Sequence, residues 1–275
     1  MNIKIVSDSS SDIIALDGVA FDSAPLKIIT AEKEYVDTPE LDVFEMVTFL
    51  KGYKGRSSTS CPNAADWLRA FGDADAVFCV TITGTLSGSY NAAILAKQEY
   101  EKDGRRVFVL NSLTAGPEIG LIIMKLCELI KSGMDFDDIC DAITEYKNST
   151  GLLFILESLQ NFANNGRVSP AVAKMAGLFG IRIVGKASVK GDLEPLNKCR
   201  GETKSISAVI GHLRDAGLSS GKVRIGHCFN RNAADSLADE IAKTFPNASV
   251  ELYPLRGLCS FYAEIGGILI GFERF

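Results

Sequence analysis

The chain has 275 residues, 47% of them hydrophobic and 23% charged. That balance excludes disorder, collagen and coiled coil as descriptions of the whole, and the length is enough for one large domain or two smaller ones. With 29 Lys+Arg against 34 Asp+Glu, the formal net charge is −5, which argues against general nucleic-acid binding because that needs a basic footprint.

In chain order, Ile3–Val6 is a short apolar strand that enters the polar loop Ser7–Asp12. Ala76–Ile82 (AVFCVTI) is a continuous apolar run rich in β-branched residues, the mark of a strand buried on both faces. Arg106–Leu110 is another strand, and Ser89–Tyr100 between them has helical spacing. Helices are expected across Ala115–Lys131 and Phe136–Asn148. Alternating strands and helices imply a parallel sheet with right-handed crossovers.

A second unit begins near Gly151. It holds a helix from about Ser169, a strand at Ile181–Val184, and a hairpin across Ala187–Leu196 with Gly191-Asp192 at the turn. Next come a helix across Lys204–Ala216, a strand at Val223–His227, a helix across Asn232–Phe245, and strands at Ser249–Tyr253 and Ile268–Phe272. The fold class is therefore α/β in two domains. Residues 1–152 form an N-terminal parallel-sheet α/β domain, and residues 153–275 a C-terminal α+β domain with a mixed sheet. Charge divides the same way: residues 1–150 hold 14 Lys/Arg against 23 Asp/Glu, residues 151–275 hold 15 against 11. Either the two domains simply differ in surface, or the basic half meets an acidic partner or a phosphorylated ligand.

The seven cysteines include no CxxC pair and are not clustered with either histidine, which argues against a zinc site. Unpaired, mostly apolar-flanked cysteines fit a reducing cytoplasm. The N-terminus lacks a signal-peptide core, and Lys125 and Glu128 interrupt the longest apolar stretch, so no membrane insertion is expected.

Ligands of open parallel sheets bind beyond the carboxyl ends of strands, and the polar strings of this chain fall there. Ser7–Asp12 caps the next helix, or Asp8 serves a phosphatase or hydrolase; the second Asp that such a phosphatase wants two positions on is Ser10. In Arg56–Asn63, Thr59 or Ser60 caps a helix with Pro62 in its first turn, and the surplus hydroxyls suit an anion. Thr83–Asn91 brings Gly84, Ser87, Gly88 and Ser89 to a helix start. It is neither a P-loop nor a nucleophile elbow, and it reads as a neutral, hydroxyl-lined site better suited to a carboxylate than to a triphosphate. In Asn165-Gly166-Arg167-Val168-Ser169-Pro170, Ser169 and Pro170 read as the N-cap and first residue of a helix. Arg167 is either an ordinary surface charge or a bidentate contact for a phosphoryl group.

Taken together, SDSSSD at the start, Thr59-Ser60-Cys61-Pro62, Leu86-Ser87-Gly88-Ser89-Tyr90, Asn165–Ser169 and the terminal Gly266–Phe272 resemble the DegV family across essentially the whole chain. Its members include the fatty-acid-binding subunits of bacterial fatty acid kinase. The resemblance implies a non-catalytic protein with a long-chain fatty acid as ligand, no cofactor, and a separate fatty acid kinase as a candidate partner. The lipid tail would lie in an apolar tunnel, with the N-terminal domain carrying the carboxylate-binding loops and the C-terminal domain closing the tunnel. The carboxylate residues fall on Thr59 and Ser87, with Ser60 and Gly88 beside them, and the phosphoryl-transfer arginine falls on Arg167. The family's terminal His-x-Gly-Pro-Gly string is replaced: Tyr262 takes the His position and Ile265 the Pro. A tyrosine donates to a carboxylate without becoming cationic, and Glu264 would repel an anion unless protonated or turned away. Ile119, Ile122, Ile123 and Leu126 wall the tunnel or pack the core.

Overall fold

The computed structural model describes residues 2–174, 176 and 180–275. The chain opens with β1 (Ile3–Asp8), a 3₁₀ turn (Ser9–Ser11), β2 (Ala20–Ala24), β3 (Lys27–Ile29), β4 (Glu34–Val36) and α1 (Val43–Gly52). It continues through β5 (Ser58–Ser60), α2 (Ala64–Phe71), β6 (Ala76–Thr81), α3 (Ser89–Tyr100), β7 (Arg106–Asn111), α4 (Pro117–Lys131) and α5 (Phe136–Lys147). Then come β8 (Thr150–Leu156), α6 (Gln160–Asn164), α7 (Pro170–Ala173), β9 (Ile181–Ala187), β10 (Leu193–Arg200) and α8 (Glu202–Asp215). The end is β11 (Ser220–His227), α9 (Arg231–Thr244), β12 (Asn247–Pro254), α10 (Gly257–Ala263) and β13 (Ile268–Glu273).

The first lobe is a parallel sheet in the order β2-β1-β6-β7. Every residue of β6 is buried, as its unbroken apolar run requires. α4 and α5 cover one face, and α2 and α3 the other. The second lobe is a mixed sheet in the order β10-β9-β8-β13-β11-β12, parallel only between β11 and β12. α8 and α9 pack on one of its faces. The other face turns toward the first lobe and toward a small antiparallel sheet, β4-β3-β5. Ile28, Tyr35, Met46 and Val47, early in the chain, thus share a core with Phe154, Leu156, Ile183 and Phe261.

Both expected architectures are present, and the strong periodic segments stand close to their expected bounds. The division expected at residues 152/153 falls inside β8, all of which belongs to the six-stranded sheet. The lobes meet closely where α4 crosses β13: a Cβ added at Gly271 would lie 2.5 Å from the backbone N of Glu118. Only a glycine permits that approach.

Two local expectations are corrected. Thr59 and Ser60 do not cap α2; they stand in β5, and Asn63 supplies the cap in a reciprocal capping box with Asp66. Pairing with β3 takes their backbone N–H and C=O groups into a ladder, with Ile28 opposite Thr59. Ser169 does cap α7, accepting from the Val172 N–H, with Pro170 next. The Ser7–Asp12 loop forms a single 3₁₀ turn and caps no helix.

Candidate functional site

A cavity of about 310 Å³ lies between the lobes. Thr59, Ser60, Ser87, Gly88, Tyr262 and Arg167 all line it, so residues spread over two hundred positions of sequence converge on one space. Several elements set this geometry. β5 presents Thr59, whose Oγ1 lies 2.8 Å from Tyr262 Oη. Tyr262 comes from α10, its ring stacked on Phe162 at 4.6 Å and edge-on to Phe261 at 4.8 Å. Burial pushes the phenol upward from its ordinary value, against smaller opposing effects of Thr59 and Arg167, so its proton stays available for donation at neutral pH.

Buried carboxylates hold α10 in place. Asp37, after β4, accepts from the N–H groups of Gly257 at 3.0 Å and Leu258 at 2.9 Å, at the helix start where an anion is most favourable. Asp12 accepts from the Arg256 N–H at 3.0 Å and from Tyr253 Oη at 3.3 Å. Burial pushes the Asp12 carboxyl up to about 7; the Arg256 N–H opposes the rise, and the charge of Asp37 adds to it.

The Ser87 loop is fixed from below by Asp8. Asp8 is fully buried and accepts from Ser10 Oγ at 2.5 Å, Ser89 Oγ at 2.6 Å and the Ile82 N–H at 2.9 Å. It ties the end of β1 to the end of β6 and the start of α3. A carboxylate enclosed in this way meets no substrate, so the phosphatase or hydrolase reading of Asp8 is set aside. Ser87 Oγ accepts from the Ser89 N–H at 3.3 Å, and a Cβ on Gly88 would stand 3.1 Å from Cys61 Sγ, which brings this loop against Ser60 and Cys61.

Arg167 bridges the loops around the opening. Its Nε donates to the Leu86 carbonyl at 3.2 Å and its Nη1 to the Asn165 carbonyl at 2.5 Å. Asn165 Nδ2 in turn donates to the Ser57 carbonyl at 3.4 Å. Glu264 is turned away: it accepts from Ser158 Oγ at 2.8 Å and does not line the cavity. The repulsion expected from it is thereby avoided.

The rest of the wall is mostly apolar. Leu152, Phe154 and Leu156 come from alternate positions of β8, and Leu269 of β13 pairs with Phe154 on the same face. Leu26, Ile82, Leu258 and Cys259 add to the sides, and Lys186 and Asp192 of the second lobe also reach the wall. The strand reads as an unbroken apolar run, Leu152–Leu156, and every residue of β8 is buried, so nothing in the sequence marked which face met a cavity. Ile119, Ile122, Ile123 and Leu126 do not line it; they pack in the first-lobe core. An uncharged cluster of hydroxyls and one guanidinium at the head of an apolar space suits an amphiphile with a small anionic group.

The fold and the cavity together have the form of a two-lobed α/β protein with an amphiphile-shaped interlobe site, and the chain belongs to the DegV family. The family model, described as an uncharacterised protein of the DegV family, matches residues 2–274. A DegV domain-containing protein of Streptococcus pneumoniae is 42% identical over 279 residues, spanning 99% of each chain. The structure of a DegV family protein from Eubacterium eligens, loaded with heptadecanoic acid, is similar with a TM-score of 0.97 and 41% identity, over 99% of this chain and 100% of that one. The Fatty Acid Kinase (Fak) B3 protein of Streptococcus pneumoniae, loaded with linoleic acid, gives a TM-score of 0.98 and 41% identity over 100% of both chains. Among the described residues, no helix is long and apolar enough to cross a membrane.

Proposed function

We propose that this protein binds a long-chain fatty acid between its lobes, as a carrier or as the subunit that presents the lipid to a separate fatty acid kinase. The observation that carries the reading is the Thr59–Tyr262 pair at the head of an otherwise apolar cavity. Thr59, Ser60, Ser87, Gly88 and Tyr262 receive the carboxylate. The N-terminal lobe, residues 1 to about 152, supplies the alcohol-bearing loops, and the remainder closes the tunnel and contributes Tyr262. Two structures similar to this one over nearly their whole length, each loaded with a fatty acid, support the same ligand class.

Energetics divide the labour. Burying ~15 methylenes yields on the order of 12 kcal/mol gross, of which ordering and entropic losses remove a large part. A hydroxyl bond to a carboxylate nets about 1.5–3 kcal/mol. The tail therefore dominates affinity and the alcohols fix register. Arg167, beside the head and fixed to two backbone carbonyls, is placed to meet a phosphoryl group or a partner's acidic residue. Tyr262 supplies a neutral donor where the family pattern has a histidine. Its partner is uncharged Thr59, and Glu264 is held elsewhere by Ser158.

Organic extraction of the protein purified from a bacterial host, followed by mass spectrometry, tests the reading. One long-chain fatty acid per chain is expected. An empty extract together with no binding of added fatty acid would overturn it.

A further inference from the structure

The backbone is strained two residues beyond Tyr262. Glu264 closes α10 with φ +55° and ψ 172°, close to a conformation that only glycine ordinarily adopts. The surrounding turn imposes it. The Glu264 N–H donates to the Ser260 carbonyl at 2.9 Å, and the Gly267 N–H donates to the Glu264 carbonyl at 3.1 Å. The turn is also fastened to the end of β11. There the Gly266 N–H donates to the Cys228 carbonyl and the Cys228 N–H to the Gly267 carbonyl, both at 2.9 Å. Bonds on both sides over-determine the conformation at position 264, so a non-glycine residue is held in it at a cost.

What stands at that position is a side chain that reaches α6. Glu264 Oε1 accepts from Ser158 Oγ at 2.8 Å and from the Asn161 N–H at 3.5 Å. Asn161 Nδ2 donates to the Phe261 carbonyl at 2.7 Å. These three bonds moor the start of α6 to the end of α10 beside one ring pair. Phe162, the next residue of α6, lines the cavity and stacks on Tyr262 at 4.6 Å with the planes 29° apart. A glycine at position 264 would relieve the backbone but take the acceptor from Ser158. On this side α6 would then be held by the Asn161–Phe261 bond and the ring stack.

We infer that Glu264 is a positioning residue for the head of the site: it moors α6 to α10, holds Phe162 on Tyr262, and so aims the Tyr262 hydroxyl at Thr59 and a bound carboxylate. This rests on the lipid-binding reading above. Glu264 does not line the cavity and acts only through these rings. With α6 unmoored, Tyr262 loses one of its two aromatic walls, and fewer molecules carry a correctly aimed hydroxyl. Apparent affinity for the acid falls by the same fraction. A methyl ester takes less from that hydroxyl and is affected less.

The test measures displacement of a fluorescent fatty acid from the full chain by a long-chain acid and by its methyl ester, with a thermal melt of each variant. Glu264→Gly is expected to weaken acid binding about three- to tenfold and to narrow the acid-to-ester preference. Its Tm is expected to stay at or above the parent's, because relief of strain offsets the lost bond. Glu264→Gln keeps an acceptor for Ser158 and is expected to bind the acid within about twofold of the parent. Ser158→Ala leaves the strained turn untouched and is expected to weaken acid binding in the same direction as Glu264→Gly. In a Tyr262→Phe background, Glu264→Gly should change acid affinity by less than about twofold, since its effect runs through the hydroxyl. Acid affinity equal to the parent's in both Glu264→Gly and Ser158→Ala, or the full loss repeated in the Tyr262→Phe background, would overturn the assignment. If the parent binds no fatty acid, the lipid reading fails and the assignment with it.

Discussion

Removing the Tyr262 hydroxyl probes the head of the site most directly. In Tyr262→Phe the ring keeps its stack on Phe162 at 4.6 Å and its edge contact with Phe261 at 4.8 Å, so only the donor is lost. Bonded to a carboxylate, that donor contributes about 1.5–3 kcal/mol. The same hydroxyl pairs with Thr59 at 2.8 Å, a neutral bond worth about 0.5–1.5 kcal/mol net that the mutation also removes. The difference, about 1–2 kcal/mol, corresponds to roughly 5- to 30-fold weaker binding of the free acid. A methyl ester offers no charge and should lose less, so the preference for acid over ester narrows. Competition with a fluorescent fatty acid, alongside a thermal melt to confirm folding, measures both quantities. A variant that matches the parent in acid affinity and in acid-to-ester preference would remove Tyr262 from the head group's contacts.

Two further outcomes follow from buried groups. Asp12 titrates near 7 when folded, raised mainly by burial, against about 3.9 in an unfolded chain. The folded state therefore holds the proton more tightly, and its contribution to stability is complete below about pH 4 and lost as pH rises through about 7. Asp12→Asn should shrink the fall in Tm between pH 5.5 and 8 by about 5 °C, while Asp8, Asp37 and Glu118, raised in the same direction, leave a residual slope. A pH dependence of Tm equal to the parent's would assign the titration elsewhere. Cys61 is exposed at the cavity, whereas burial pushes the Cys228 thiol up to about 11 and those of Cys79 and Cys259 well above the ordinary thiol value. Iodoacetamide followed by peptide mapping should label Cys61 at least tenfold faster than Cys259, and loading with fatty acid should slow the labelling of Cys61. Equal labelling rates would contradict the placement of Cys61 beside Gly88.

Long, strongly patterned segments were legible from the chain alone. The apolar run of β6, the helical stripe of α4 and the Gly191-Asp192 hairpin turn each depend on neighbours within a few positions, and they fold as their local pattern dictates. The segments from β2 to α1 carried no comparable signal, because strands of three residues are too short to show a period: β4 pairs only with its neighbour β3, and β3 is completed by β5 from across α1. Thr59 shows the same limit: its hydroxyl-rich surroundings fit a helix cap, yet pairing with β3 placed it in a strand, and Asn63 took the cap.

The motif strings pointed to Thr59, Ser60, Ser87, Gly88 and Arg167 by resemblance and to Tyr262 by its place in the string that departs from the family pattern, although nothing local could say that these residues meet. Their meeting is tertiary. Asp8 anchors the Ser87 loop through Ser89, Asp37 and Asp12 hold the start of α10, and α10 carries Tyr262 to Thr59 across two hundred residues of chain. Chain composition and periodicity determined which segments bury themselves and which end in hydroxyl-bearing loops, because those are properties of neighbouring residues. The space between the lobes, the orientation of Glu264 away from it and the seating of the β9–β10 turn on Thr85 were decided only in the folded molecule. Each depends on contacts between surfaces that the linear order keeps apart.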